Sequence, residues 1–480
     1  MFNFRIVAKV LSEALIASGL FMSLSAIISF LYKDTCGALI LSGIFTIIAG
    51  GMVYAPLKRE EKVYGKREGF LIVSGIWIVY GITGTLPYLI SGTIPNVIDA
   101  FFESMSGFTT TGASIIQNLE LCSHGILFWR SASQWIGGIT FILLTLSIIP
   151  LKQINIQLSL SEFTGLPADK FNPRTGNVSR TLILTYAALT FAETILLSIG
   201  DMNFFDALCY SMSTISTGGF SNHAGSVSSL NSPYLLIVIT IFMFLAGANT
   251  TLIYYGAIKR FDKIKENSEF WLYCSFIIVF IIAGSIALTV NHTYGFGKSV
   301  YESAFQVTSM VSTTGFYNSN YNTWGGFMMF SLIVMMVIGA SSGSAGSGMK
   351  SIRFLIIGKI IHRETKAAIH PDAIIPIRLY GKAIPFNMLG NILVYLLLYL
   401  LTILVGSAVI ATFDIDLMSS FSTTISMVSN VGNAPGTFGP FTTYADLAPS
   451  CKLFMTFLML LGRIELFSIL ILFSVGFYKR

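Results

Sequence analysis

The sequence predicts an all-α polytopic membrane protein, with an N-terminal two-helix hairpin followed by four repeats of one helix–loop–helix unit. Three observations predict it. The 480 residues are 54% hydrophobic and 11% charged, whereas a soluble domain carries about 25% charged residues. Many apolar stretches reach the roughly 20 residues that cross a hydrocarbon core, where a transmembrane barrel would show alternating segments of about 10. Between these stretches, one short polar run bearing a glycine recurs four times.

Spanning helices are expected near 6–32, 38–56, 69–92, 126–150, 180–200, 233–257, 268–290, 325–349, 384–411 and 453–477. The first is too long for a signal-peptide core and lacks a clear small-residue cleavage site, so it reads as a retained helix. With the N-terminus cytoplasmic, the inner segments are 1–9, 57–68, 151–180, 258–267, 349–382 and 478–480. They carry 24 of the 29 Lys and Arg residues, the asymmetry of the positive-inside rule. Both termini are therefore expected on the cytoplasmic side. The net charge of +6 is explained by topology in lipid, and a nucleic-acid partner is excluded. Five scattered cysteines without CxxC spacing point to neither a disulfide framework nor a zinc site.

Four segments, about 97–112, 204–219, 300–315 and 417–432, do not fit as full spans. Each follows an outward-going helix and precedes an inward-going one, so all four face the outer side. Aligned on one glycine they contain SMSGFTTTGAS (104–114), SMSTISTGGFS (211–221), TSMVSTTGFYN (308–318) and ISMVSNVGNAP (425–435). The glycines Gly112, Gly219, Gly315 and Gly432 are separated by 107, 96 and 117 residues. Three columns earlier stand Thr109, Ser216, Ser312 and Ser429; thirteen columns earlier stand Asp99, Asp206, Glu302 and Ser419. Four copies in one topological slot are an internal repeat, not a coincidence between polar loops.

The residues ahead of each polar run make a helix of about 15 Å, half a hydrocarbon core. Such a re-entrant helix requires its return to be buried in protein or to line a wet cavity. An acidic residue at the outer end complements the helix dipole, and the inward C-terminus favours a cation. Beyond it, a glycine with positive φ allows successive carbonyls to face one axis. Four copies would make a ring able to replace the hydration shell of a monovalent cation. The full fold class is then four helix–pore-loop–helix repeats around a central pore. Its expected segments are a hairpin over 1–66, then repeats over 67–155, 156–264, 265–362 (with a broken inner helix) and 363–480.

These four units, with FWRSASQWIGG (128–138), MFLAGANTTL (243–252), GSGMKSIR (346–353) and LLGRIE (460–465), resemble the Trk/Ktr/HKT superfamily of potassium transporters. The two extra N-terminal helices and the length resemble its TrkH-type membrane subunit. The resemblance covers essentially the whole chain. It implies that K⁺ is bound by carbonyls of Thr110, Thr111 and Gly112; Thr217, Gly218 and Gly219; Thr313, Thr314 and Gly315; and Asn430, Val431 and Gly432. Glycine at 112, where sodium-selective members carry serine, favours potassium, while Asn430 and Val431 make the fourth segment irregular. The resemblance also implies a homodimer in the inner membrane lipid and a cytosolic, nucleotide-binding TrkA-type subunit. No cofactor other than the transported K⁺ is expected.

GASSGSAGSG, 339–348, interrupts an apolar helix about 20 Å from its start. Each glycine there costs about 1 kcal/mol relative to alanine in a helix. Close helix packing through small residues is the competing reading. The resemblance assigns Gly339, Ser341, Ser342, Gly343, Gly346 and Gly348 to an intramembrane gate loop. Arg463 lies about 15 Å into the last helix, where a guanidinium costs at least roughly 2.5–3.5 kcal/mol, so it faces protein or a water-filled pore. An ion pair with Glu193 or another buried acid would explain it structurally; the resemblance makes it a fixed charge beneath the filter. Arg130 is expected to brace a pore helix through Glu103.

The G-x-S-x-G match at 339–343 lacks a histidine at similar depth, and 343–351 misses phosphate-loop spacing, so hydrolase and nucleotidase readings fail. A sodium-permeable relative and a secondary transporter of another solute stay open as alternatives, and so does the choice between channel and symporter.

Overall fold

The computed structural model describes residues 3–60, 65–147, 175–372, 375–379, 382–384, 386–474 and 477. The end of the helix expected at 126–150, nearly all of the inner segment 151–180, the repeat boundary at 155–156 and residues 478–480 lie outside the described residues.

The chain opens on two antiparallel apolar helices, α1 (Phe4–Leu31) and α2 (Gly37–Leu57). Their seam is cut from small residues. A Cβ on Gly43 would stand 2.6 Å from Ser23 Oγ, and one on Gly19 would stand 2.7 Å from Ile47 Cγ1. In lipid no hydrophobic drive separates helix from tail, so this close backbone approach is what joins them. Ser23 in the seam satisfies itself, its Oγ donating to the Gly19 carbonyl at 2.9 Å.

Four units follow. The first is α3 (Lys66–Thr83), α4 (Leu86–Ser91), α5 (Val97–Phe108) and α6 (His124–Ser147). The second is α7 (Thr175–Ile199), α8 (Phe204–Ile215), α9 (Pro233–Gly247), α10 (Thr250–Ala257) and α11 (Phe261–Lys265). The third is α12 (Ser268–Val290), α13 (Phe296–Val311), α14 (Gly326–Ile338) and α15 (Ser351–Ile369). The fourth is α16 (Phe386–Ala411), α17 (Leu417–Val428), α18 (Pro449–Ile464) and α19 (Leu466–Phe473). A two-residue antiparallel hairpin, β1 (Arg378–Leu379) with β2 (Lys382–Ala383), precedes α16.

Among the described residues, six helices are long and apolar enough to cross a membrane, and α9 with α10 makes a seventh span bent by 111°. Two helices expected to run uninterrupted are broken, and a third breaks where its glycine-rich run predicts, each for a local reason. The helix expected at 233–257 bends at Ala248–Asn249, because Asn249 turns its side chain into a cap and accepts from Thr251 N at 2.9 Å. The one expected at 325–349 stops at Ile338, where Gly339 takes φ +68°. The one expected at 453–477 breaks at Glu465, φ +63°, whose carboxylate is drawn to Arg353 and Lys350.

The inner segment 349–382, outside the expected spans, contains α15. Its Ile352, Ile356 and Ile360 recur at helical spacing and pack with Ile377, Leu379 and Leu389. The many charges on its other face had obscured that stripe.

The seam of the N-terminal hairpin can be tested with two glycines of the same helix. Gly43→Val forces α1 and α2 apart at a cost of about 1–3 kcal/mol. Gly37→Ala adds a Cβ with nothing within 4 Å. The first is expected to lower the melting temperature of the detergent-solubilised protein, and the second to leave it unchanged.

Candidate functional site

Each unit contains one short helix that ends in the interior: α5, α8 and α17 with 12 residues and α13 with 16. Asn96, Asn203 and Asp416 cap three of them from the outside by accepting backbone N–H groups. All four end alike. After Thr109, Ser216, Ser312 and Ser429, the next residue turns left-handed, with φ of +55° at Thr110, +55° at Thr217, +62° at Thr313 and +54° at Asn430. Backbone N–H groups of Thr111, Gly218, Thr314 and Val431 then reach back to Ser106, Ser213, Ser309 and Ser426 at 2.8–3.0 Å. This is the Schellman cap, repeated four times, and it satisfies carbonyls that no water could reach.

Left-handed backbone costs a non-glycine residue roughly 1–2 kcal/mol, so the four turns are held against strain. The glycine two positions on is left-handed as well, at +82°, +75°, +80° and +87° for Gly112, Gly219, Gly315 and Gly432. The sequence pointed to the glycines but gave no signal for the strained residue before them.

The four turns close into a ring. A Cβ on Gly112 would overlap the carbonyl of Gly218, and one on Gly219 would overlap that of Thr314. One on Gly315 would overlap that of Val431, and one on Gly432 would overlap that of Thr111. Each turn thus abuts the next, 1 to 2 to 3 to 4 and back to 1. All twelve residues of the four predicted triplets lie in this ring, and nearly all are fully buried.

Glycines in the longer helices let the ring be gripped from outside. A Cβ on Gly137 of α6 would meet Phe108 O, and one on Gly138 would stand 3.0 Å from Ser216 Cβ. Gly247 of α9 faces Ser312 in the same way, and Gly462 of α18 faces Val428 O. Side chains complete the grip. Gln134 spans the second turn, donating to Gly218 O at 2.6 Å and accepting from Phe220 N at 3.1 Å. Arg130 Nε meets Glu103 Oε1 at 2.9 Å, both buried, while its Nη1 donates to Ser221 O at 2.8 Å. The expected brace through Glu103 is therefore present. It joins α5 to the strand leaving the second turn.

The acidic column does more than complement helix dipoles. Asp206 accepts from Asn222 Nδ2 at 2.7 Å and Glu302 from Asn318 Nδ2 at 2.9 Å, so both fasten the strand returning from their own turn. Asp99 instead pairs with Lys452 at 2.8 Å. In the fourth unit, Ser419 bonds Thr437 and the acid is displaced to Asp416.

Below the ring lies the segment between α14 and α15. Gly339, Gly343 and Gly348 have φ of +68°, +75° and +83°, so the chain turns three times in ten residues. Its Ser347 N–H donates to Thr313 Oγ1 at 3.0 Å, and a Cβ on Gly346 would stand 2.8 Å from Ser312 O. The segment rests on the base of the third turn. Ser341 N donates to Gly247 O at 2.9 Å. Buried Glu269 accepts from Ser342 N at 2.6 Å and Ser342 Oγ at 2.7 Å, and Asn249 Nδ2 donates to Ser342 O at 2.7 Å.

Arg463 is fully buried and donates to Ala345 O at 2.8 Å, Ser347 Oγ at 3.1 Å and Gly137 O at 3.3 Å. Its guanidinium also lies 4.2 Å from the Phe141 ring centroid. Among the described residues it makes no ion pair, which removes the alternative of a bridge to Glu193. Glu465, two residues on, serves Arg353 at 2.9 Å and Lys350 at 3.4 Å. Sequence reasoning assigned no role to Glu269, Asn249, Gln134, Lys350 or Arg353. All but Glu269 lie inside the stretches 128–138, 243–252 and 346–353 that carried the family resemblance, which was the signal available.

Beyond the second turn, His223 Nε2 lies 3.4 Å from Asp206 Oδ2. The hydrogen bond to Asp206 raises the His223 pKa above its ordinary value, against the opposing effect of burial. Burial alone would raise Asp206, but His223, Asn222 and Asn203 together hold it below the usual aspartate range.

A family model described as a TrkH cation transport protein matches residues 37–478. The "Trk system potassium uptake protein TrkH" of Salmonella typhimurium is 33% identical over the full length of both chains, and its Escherichia coli K12 counterpart is 32% identical, also over both full lengths. "Trk system potassium uptake protein TrkG" of Escherichia coli K12 is 31% identical over 91% of this chain and 90% of its own. Among solved structures, the crystal structure of "the Potassium Transporter TrkH from Vibrio parahaemolyticus" aligns at TM-score 0.90 and 29% identity, covering both chains completely.

Two outcomes are expected from these contacts. Arg130→Met leaves Glu103 buried without its cation, a loss of about 3–5 kcal/mol, measurable as a lower melting temperature than that of wild type. For His223, whose folded pKa is raised, the ion pair stabilises fully below the ordinary histidine value of 6.5 and is lost as pH climbs through the raised value. The melting temperature should therefore fall between pH 6 and pH 9, and His223→Gln should flatten that slope.

Proposed function

The chain belongs to the TrkH family of cation transport proteins, and on that premise we propose that it takes up potassium across the cytoplasmic membrane. It is a multi-pass transporter and not an enzyme. The driving force is the inside-negative potential, about 2.3 kcal/mol per charge for each 100 mV. The observation that carries this reading is the closed ring of four strained turns. Each turn is fixed by the same cap, and each meets the next turn's carbonyl at a glycine.

In this reading K⁺ sheds its water for the carbonyls of Thr110–Gly112, Thr217–Gly219, Thr313–Gly315 and Asn430–Gly432. A ring of backbone dipoles suits a dehydrated monovalent cation because no fixed charge binds it too tightly to leave. Residues 339–348 form the gate. Arg463 holds the loop through Ala345 and Ser347, and its positive charge raises the barrier to a cation beneath the ring. Glu269 and Asn249 fasten the same loop to α12 and to the bend between α9 and α10, so gate movement requires these bonds to be exchanged. The cluster Lys350–Glu465–Arg353 joins the loop's end to α18 and α19 and is the route by which a cytosolic partner would act on it.

The unit of function is a homodimer with both termini in the cytoplasm, regulated by a TrkA-type nucleotide-binding subunit. The basic inner face, including α15, is the docking surface this assignment needs.

Rubidium uptake into proteoliposomes under an inside-negative potential tests the function. Wild type is expected to accumulate Rb⁺, competed by K⁺ more strongly than by Na⁺. Gly219→Ser, which places a Cβ against Thr314 O at φ +75°, should weaken that preference. Arg463→Ala should speed flux. Unchanged transport in both variants would remove these residues from the mechanism.

A further inference from the structure

The ring is not equivalent on its four sides. At the level of the glycines, two of the four carbonyls already accept hydrogen bonds from side chains. Tyr444 Oη donates to Gly432 O at 2.6 Å, and Asn433 Nδ2 donates to Gly315 O at 2.6 Å. The amide of Asn433 cannot be turned the other way, since its own oxygen would then face another acceptor. No side chain among the described residues donates to the carbonyls of Gly112 or Gly219. Because turns 3 and 4 are neighbours in the ring, the two engaged oxygens lie side by side on one half of its outer end.

These donors are built, not incidental. Tyr444 is buried, stacks on Phe438 with centroids 4.7 Å apart, and gives its backbone N–H to Ser114 O at 3.0 Å. Asn433 is held by its carbonyl, which accepts from Ser426 Oγ at 3.1 Å. A phenol or amide proton this close occupies one lone pair of the carbonyl and cancels part of its negative potential. It also draws the oxygen toward the donor and away from any shared centre.

We infer that Tyr444 and Asn433 set the affinity of the outermost cation site, leaving it two-sided. Gly112 and Gly219 supply the free backbone oxygens, and water keeps its place on the side of Gly315 and Gly432. This rests on the reading of the four turns as the cation filter. An ion entering there is half dehydrated, so it is held weakly and passes inward readily. At the next level Gln134 Nε2 donates to Gly218 O at 2.6 Å, so discrimination between alkali ions falls to the innermost level, where the carbonyls of Thr110, Thr217, Thr313 and Asn430 carry no such donor among the described residues.

The test is the concentration dependence of Rb⁺ uptake in proteoliposomes for wild type, Tyr444→Phe, Asn433→Ala and the double variant. Freeing a carbonyl from a hydrogen bond of this kind should lower the apparent KM for Rb⁺ by about three- to tenfold per substitution. The double variant should fall furthest, and the maximal rate should not rise. Asn433 is only partly buried, so its variant carries the test if loss of the buried hydroxyl impairs folding. A KM that stays constant or rises in the folded variants overturns the inference, a rise meaning that the donors brace the carbonyls for binding. If wild type itself shows no K⁺-competed Rb⁺ uptake, the filter reading falls first.

Discussion

A polypeptide that ends a helix and turns back inside a membrane protein has no water to satisfy its backbone, and this constraint governs the rest of the molecule. Each of α5, α8, α13 and α17 ends with carbonyls aimed into the protein, and each is closed by the same two reverse bonds. That closure requires a left-handed residue, and Thr, Thr, Thr and Asn occupy the position instead of glycine. The strain is held by what surrounds it. Gln134 clamps the second turn, Arg130 with Glu103 ties the first helix to the second return strand, and four interhelical glycines bring the longer helices against the turns. Remove the surrounding grip and the turns have cheaper conformations available.

The same reasoning explains the broken inner helices. A straight α9, α14 or α18 would satisfy its own carbonyls and offer nothing to its neighbours. Interrupted at Asn249, Gly339 and Glu465, these helices release backbone groups that bond one another across the centre. Gly247 O accepts from Ser341 N and Gly343 O from Thr250 N, while Ala345 O accepts from the Arg463 side chain. A loop built from such exchangeable bonds can have two arrangements of similar energy, as a gate requires. Glu269 accepts from both the backbone and the hydroxyl of Ser342 and fastens the loop in the arrangement seen here.

Much of this was legible in the residues. Composition fixed the class, and the fourfold recurrence of a glycine after a hydroxyl-rich run located the ring. The Lys and Arg distribution gave an orientation. The breaks were harder to see, because hydropathy averages over them. GANTT at 247–251 sits inside an otherwise apolar window and looks tolerable in a helix, and at GRIE, 462–465, the buried Arg463 stands out while the break at Glu465 does not. The helix α15 was missed for the opposite reason, its apolar stripe being diluted by charge. Contacts between distant segments, such as Tyr444 with Gly432 or Glu269 with Ser342, have no sequence signature at all. They follow only from how the four units close around one another.

Ion density in the ring is the most direct measure of the central claim. Crystals or frozen particles prepared in Rb⁺ should show anomalous or difference peaks on the axis shared by Gly112, Gly219, Gly315 and Gly432, within coordination distance of the carbonyls two residues inward. Peaks confined to the periphery, or an axis empty of Rb⁺ while the four turns keep their geometry, would contradict the account.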